Sequence, residues 1–286
     1  MSSTASVLGP ATRARVRLLT FPREHGAWGI LLVPLVAGAV VGSSSLSAII
    51  PTILFAIAAV ALFCLRTPLE SLAGASAVRP QNAAERHAVV FSIAAYGGVA
   101  AGALAILLWN QRAWDLPLLG TAVAVIFLAQ ALLKTIRREL RPAAQLLGSL
   151  GLTSTAAAAY YVAADHMDAT AYSIWAANWL FAANQIHFVQ LRIHAPRAAS
   201  RSERLERGRA FLIAEALLFL ILIFAWKFHW IPALAPLAFA PVLVRGLAWA
   251  LSSRAAPLEV HQLGKSELAH SILFGVLLIL SFRIAL

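Results

Sequence analysis

Charge is what this chain has least of. Asp, Glu, Lys and Arg make up 12% of its 286 residues against 60% hydrophobic ones, and a soluble domain of ordinary composition carries about twice that charged share. That excludes a soluble fold, because apolar stretches in such a chain pass the roughly 18 residues that span a bilayer. Cysteine is almost missing too: with Cys64 alone, no internal disulfide, paired-cysteine metal site or iron-sulfur cluster can be built. Catalytic signatures are equally scarce, for there is no HExxH, no Walker loop, no GxSxG elbow and no aspartate-rich DxxxD string. Nothing points to a nucleotide, to nucleic acid or to a soluble catalytic domain. The net charge of +11 sits in short loops between apolar segments, where it holds topology and meets anionic lipid headgroups.

What is present is a succession of apolar stretches, near residues 26–42, 46–65, 88–109, 116–133, 143–164, 170–189, 210–227, 231–251 and 268–284. Hydrocarbon offers no water to satisfy backbone groups, and the alternating pattern of a membrane barrel is lacking, so these stretches are expected to be helices. The expectation is an all-α polytopic integral membrane bundle of about nine transmembrane helices. Residues 21–286 form a single transmembrane domain, with spans one to four and five to nine as two halves around one cavity. Runs of small residues, Gly97-Gly98, Gly102 and Ala156 to Ala159, are where helices are expected to approach closely.

The basic residues orient the bundle. Nineteen of the 23 Lys and Arg fall before the first span or in every second gap after it, and only Arg112, Lys227 and Arg283 lie in the opposite set. The exception, Arg245, lies within the eighth stretch. By the positive-inside rule the N-terminus is cytoplasmic and the C-terminus outside, as in a bacterial cytoplasmic membrane. Residues 1–20 are Ser- and Arg-bearing and acid-free, with no short apolar core and cleavage site, so they are expected to be a flexible cytoplasmic tail rather than a targeting signal.

Polar residues gather at the expected cytoplasmic ends. Arg23, Glu24 and His25 open the first span; Pro22 presets a helix start and Glu24 suits the positive end of its dipole, which leaves His25 unexplained. Arg66 and Glu70 are four apart, so they pair on one face if the helix continues through Pro68 and are re-aimed into the loop if it breaks there. Lys134, Arg137, Arg138 and Arg141 form a cationic stripe suited to a phosphate or diphosphate, or simply to topology and anionic lipid. In the sixth span, Asn178, Asn184, Gln185, His187, Gln190, Arg192 and His194 are too dense for routine packing and are expected to line a cavity. Glu215 is the acid expected to be buried, with Arg245 or His187 as its partner. Glu259, His261, Lys265, Glu267 and His270 lie towards the same surface.

The string Pro22-Arg23-Glu24-His25-Gly26-Ala27-Trp28, followed by Pro34 and Gly38, together with Arg66-Thr67-Pro68-Leu69-Glu70, resembles the YwiC-like membrane protein family from about Phe21 to the C-terminus. That likeness implies a membrane protein and supplies almost no mechanism. More weakly, Arg23 and His25 before Pro34 and Gly38, the run from Lys134 through Arg138, Gln145, Gly148 and Gly151 into Ala156 to Ala159, and Gln185-Ile186-His187-Phe188 are similar to the UbiA superfamily of intramembrane prenyltransferases. That resemblance implies a nine-helix arrangement opening on the cytoplasmic side and two aspartate-rich motifs holding Mg²⁺ on a prenyl diphosphate. This chain has Arg66 and Glu70 where the first motif belongs, and Asn184, His187 and Arg192 where the second belongs.

Two readings follow. In one, the protein is a divergent UbiA-like transferase or lyase on an isoprenoid, quinone or lipid-like amphiphile. Its head would be bound by Arg23, Glu24, His25, Arg66, Lys134, Arg138, Asn184, Arg192 and Glu215, with Glu70 and His187 as catalytic proton carriers. In the other, it binds or transports a lipid, quinone or small anion without chemistry. The cofactor is open, with Mg²⁺ conceivable but its aspartates absent; no metal ligands are assigned, and a haem on His25, His187 or His270 is a minor third reading. The expected partners are the bilayer and an isoprenoid or lipid ligand.

Overall fold

The structure, a computed structural model, describes residues 10–22, 25–74, 76, 78–111, 115–136, 140–194, 201–252 and 259–285. Among these there is no strand, and helix dominates throughout. Six stretches are long and apolar enough to cross a membrane: Leu46–Leu72, Ala83–Trp109, Asp115–Leu133, Pro142–Ala164, Arg209–Lys227 and His261–Ala285. Gly26–Gly42 and Ala235–Leu251 are apolar but shorter. The remaining expected span, 170–189, lies within a helix whose Asn, Gln and His residues dilute its hydropathy. Large apolar side chains stay on the outside, among them Phe91, Trp109, Leu118 and Phe224, as befits lipid-facing helices.

Packing divides the chain into two units, one of residues 1–24 and 50–113, the other of residues 25–49 and 114–286. This division differs from the expected halves, because the first and fourth apolar stretches go with the later ones.

The first unit contains α1 (Pro10–Thr20), α3 (Ile49–Leu72) and α4 (Ala83–Gln111). Part of the stretch expected to be a tail is thus helical. Leu19 of α1 is fully buried and its carbonyl accepts from Ser71 Oγ at 3.2 Å. Arg15 pairs with Glu85 at 2.7 Å. Glu85 belongs to a reciprocal cap at the start of α4: Asn82 Oδ1 accepts from the Glu85 N–H, and Glu85 Oε2 accepts from the Gln81 N–H, both at 2.8 Å. α3 continues through Pro68.

The second unit begins with α2 (His25–Gly42) and continues with α5 (Asp115–Ile136), α6 (Arg141–Thr153), α7 (Thr155–Ala164), α8 (Ala169–His194), α9 (Arg201–Arg207), α10 (Arg209–Lys227), α11 (Ala235–Leu251) and α12 (Val260–Ala285). α2 lies along α7 through Gly38 and Gly42. A methyl group on Gly38 would overlap the Ala156 backbone, and one on Gly42 would come within 2.6 Å of the Tyr160 carbonyl. Glycines four apart let two helix backbones touch, facing the buried run Ala156 to Ala159. The other expected close approaches are open, since nothing lies within 4 Å of a methyl group placed on Gly97, Gly98 or Gly102.

The α6–α7 segment is broken at Ser154 by three consecutive hydroxyls. Thr153 Oγ1 donates to the Ser149 carbonyl (2.9 Å), Ser154 Oγ to Gly151 (2.7 Å), and Thr155 Oγ1 lies within reach of both Leu152 (2.9 Å) and Leu31 of α2 (3.2 Å). Hydroxyls that bond back to the preceding turn compete with the helical ladder and bend it.

α8 starts at Asp168, whose Oδ1 accepts from the Ala171 N–H at 3.1 Å while Oδ2 accepts from the Tyr160 hydroxyl at 3.1 Å. Trp175 and Trp179, one turn apart, donate their indole N–H to the Leu150 and Leu146 carbonyls of α6 at 3.1 and 3.2 Å. Phe181 stacks on Phe274 with ring centroids 3.9 Å apart, and Phe239 meets Phe274 edge-on at 5.1 Å. These contacts bring α8, α11 and α12 together around an apolar core that also takes in Leu218 and Leu222 of α10.

Candidate functional site

Next to that core, α8, α10, α11 and α12 each contribute charged or amide side chains to one buried cluster. Asn184 Nδ2 donates to Glu215 Oε2 at 2.9 Å, linking α8 to α10. Arg245 of α11 pairs with Glu267 of α12 at 2.5 Å, with side chains 12% and 8% exposed. The Arg245 guanidinium lies 3.9 Å above the ring of Phe188, close enough for a cation–π contact. Gln185 Nε2 donates to the Glu267 main-chain carbonyl at 2.9 Å; Ser271 Oγ lies 3.1 Å from Gln185 Oε1 and 2.9 Å from the same carbonyl. Gly246 makes room for the Glu215 carboxylate, which a methyl group at that position would overlap.

The cluster is rich in unmet valences. Among the described residues, Asn184 Oδ1, Glu215 Oε1, Glu267 Oε2 and the Nε and Nη2 of Arg245 are all buried without a hydrogen-bond partner. Each such atom carries a desolvation cost of about 1–3 kcal/mol, more where the group is charged. A set of this kind is what a bound ligand or ion would complete.

Ser271 also reaches a small cleft lined by Gly29, Val33, Pro34, Thr153, Asn178 and Phe181, with room for a water-sized guest and none for a drug-sized ligand.

Of the residues expected at a site, Asn184 and Glu215 meet. Glu215 takes Asn184 as its hydrogen-bond partner, while Arg245, one of the two expected partners, commits its ion pair to Glu267 and acts on Glu215 through its charge. His187 turns its ring edge-on to Phe211, centroids 5.8 Å apart. Arg192 is half-buried and close enough to Glu267 to act on its charge. Gln190 donates to Gln145 of α6 at 2.5 Å. Arg66 and Glu70 belong to the first unit, where the unbroken α3 lets them pair at 2.9 Å. Arg23, Glu24 and Arg138 lie outside the described residues, as do the side chains of His25 and Lys134.

Sequence reasoning missed Ser271; it expected Gln185 to line a cavity, offered Arg245 as a partner of Glu215 and placed Glu267 towards the same surface, without assigning the latter two to a binding site. Arg245 did carry a signal, lying well inside an apolar stretch where Lys227 and Arg283 sit at the ends of theirs, a position too costly to hold without a partner.

At the opposite end of α8, burial works against the charge of Asp168. The N–H groups of Ala171 and Thr170, the Tyr160 hydroxyl and His166 outweigh it, holding the carboxyl below its ordinary range.

The model of the YwiC-like protein family matches residues 21–161, from the start of α2 into α7, and so takes in Arg66 and Glu70 but not the cluster on α8 to α12. No curated protein and no solved structure matches the chain. Over residues 21–161, beginning at the Phe21-Pro22-Arg23-Glu24-His25 string, this chain is similar to the YwiC-like protein family.

Proposed function

We propose that this integral membrane protein binds the polar head of an isoprenoid, quinone or other lipid-like amphiphile at the cluster formed by Asn184, Glu215, Arg245 and Glu267, as a binding or transport protein. The observation that carries the reading is the set of unmet donors on Arg245 and unmet acceptors on Asn184, Glu215 and Glu267, all buried in apolar helices. Ionisable groups this deep are too costly to keep without a use or a partner. A head with both hydrogen-bond donors and acceptors satisfies both sets, while its tail stays in lipid. The alternation of basic residues supports a bacterial cytoplasmic membrane location, N-terminus in and C-terminus out, with the site reached from the cytoplasmic side.

The second reading is a divergent UbiA-like transferase, with Glu70 or His187 moving a proton. Its usual chemistry needs paired Mg²⁺ ions on a diphosphate, and the donors here do not fit that pair. Glu70 is engaged by Arg66, Asn184 is neutral and engaged by Glu215, and no group of three or more His, Cys, Asp or Glu converges among the described residues. Hard divalent ions want several carboxylate oxygens. Non-catalytic binding is therefore the preferred reading.

The test is lipid analysis of the protein purified in mild detergent, coupled to melting with added lipid extract. A co-purifying amphiphile that raises the melting temperature of the wild type and not of Arg245→Gln supports binding. Product formed from the extract would move the assignment to the transferase, and equal melting with and without extract would sink both.

A further inference from the structure

Charge is shared unevenly in the cluster. Glu267 is paired with Arg245 and also feels Arg192 and His270, whereas among the described residues Arg245 is the charge that acts on Glu215. Arg245 is held over Phe188 with Nη1 on Glu267, so among the described residues Glu215 has a neutral amide as its direct hydrogen-bond partner. Asn184 is more than nine-tenths buried, and once its Nδ2 is spent on Glu215 its Oδ1 has no donor; Glu215 Oε1 has none either. Two oxygens from one hydrogen-bonded pair therefore lack a positive partner in a medium where an uncompensated carboxylate is very costly.

We propose that Glu215 and Asn184 form the binding site of one monovalent cation, H⁺ or Na⁺, held at Glu215 Oε1 and Asn184 Oδ1. The premise is that the cluster is a ligand site; the identity of the amphiphile does not matter to it. A proton on Oε1 neutralises the acid and supplies the missing donor. A sodium ion takes both oxygens as ligands, in the manner of intramembrane coupling sites.

Charged and titratable groups on the helices packed against α10 are Tyr172, His187 and Arg192 of α8, Arg201, Glu203, Arg204, Glu206 and Arg207 of α9 and Arg245 of α11, with Glu267 and His270 on α12 beyond. Of these, Arg245 is the charge that acts on Glu215. Its free Nε and Nη2 are the donors available to Glu215 when the cation leaves, so release of the ion and sharing of Arg245 between the two acids are one event. Binding or transport at this cluster is then coupled to a cation.

The test uses the full chain in mild detergent and dicyclohexylcarbodiimide, which adds the O–H of a protonated, apolar-buried carboxyl across one of its N=C bonds and rearranges to a stable N-acylurea with no atom lost. Peptide mass spectrometry reads the adduct on Glu215, with Glu267 as the salt-bridged control. The expected result is an adduct on Glu215 and none on Glu267, lost as pH rises. Loss in NaCl but not in choline chloride of equal ionic strength identifies Na⁺, and indifference to the salt identifies H⁺. An adduct on Glu267 in place of Glu215 overturns the proposal. So does an unmodified Glu215 combined with the same pH and Na⁺ dependence of melting in the wild type and in Glu215→Gln. Lipid-induced stabilisation on the same samples reports the premise separately, since its absence with intact Glu215 labelling removes the amphiphile and leaves the cation site standing.

Discussion

Removing Arg245 tests the energetic account of the cluster most directly. Its ion pair with Glu267 is almost dry, at 12% and 8% side-chain exposure, and losing one member of such a pair costs about 3–5 kcal/mol because the other charge stays buried alone. Arg245→Gln also lifts the cation off Phe188, 3.9 Å below, a loss of roughly 0.5–2 kcal/mol, and takes the countercharge from Glu215 as well. Glu267→Gln leaves Arg245 free to turn its unmet Nε and Nη2 towards Glu215, so its cost should be the smaller. The double variant removes pair and penalty together, and its destabilisation should fall short of the sum of the singles by about 0.5–3 kcal/mol. Unfolding in mixed micelles, followed by tryptophan fluorescence, gives the three free energies. Single effects that sum to the double within about 0.5 kcal/mol, or a Glu267→Gln effect larger than that of Arg245→Gln, would refute the assignment of Arg245 as the shared countercharge.

Two further outcomes check the fold around the site. Gly38→Ala forces a methyl group into the Ala156 backbone and should destabilise by at least the roughly 1–3 kcal/mol of an overpacked core. Gly97→Ala, with nothing within 4 Å of the added carbon, should be neutral or slightly stabilising through helix propensity; equal effects in the same micelle unfolding assay would contradict the α2–α7 contact. Asp168 has a lowered folded-state pKa, so its stabilisation is complete above the unfolded value of about 3.9 and disappears as pH falls through the folded one. Melting temperatures of the wild type and Asp168→Asn should therefore differ at neutral pH and converge in acid, and a gap that widens in acid would reverse the sign of the argument.

Some of the site could be found by reading residues in order and some could not. The polar density of α8 was visible as Asn184, Gln185, His187 and Gln190 within seven positions, because each is expensive in an apolar stretch. Glu215 stood out for the same reason. Which of them touch was not visible. Helical periodicity sets the direction of a side chain around its own axis and says nothing about the neighbouring helix, so Asn184 rather than Arg245 or His187 as the direct partner of Glu215 emerged only from packing. Pro68 shows the same limit, since the sequence allowed either a break or a continuous face, and the unbroken α3 selected the Arg66–Glu70 pair.

Composition and periodicity determined what the solvent demands: apolar helices with the polar groups kept off the lipid, and a cluster of costly residues late in the chain. Only the tertiary structure decided the pairings and the grouping of the helices. It decided that α2 packs on α7, because Gly38 and Gly42 meet a run of alanines, and that one guanidinium serves two carboxylates. Burial is a property of single residues and can be written in a sequence, whereas a countercharge is a property of two residues far apart in the chain and exists only once they are brought within a few ångströms.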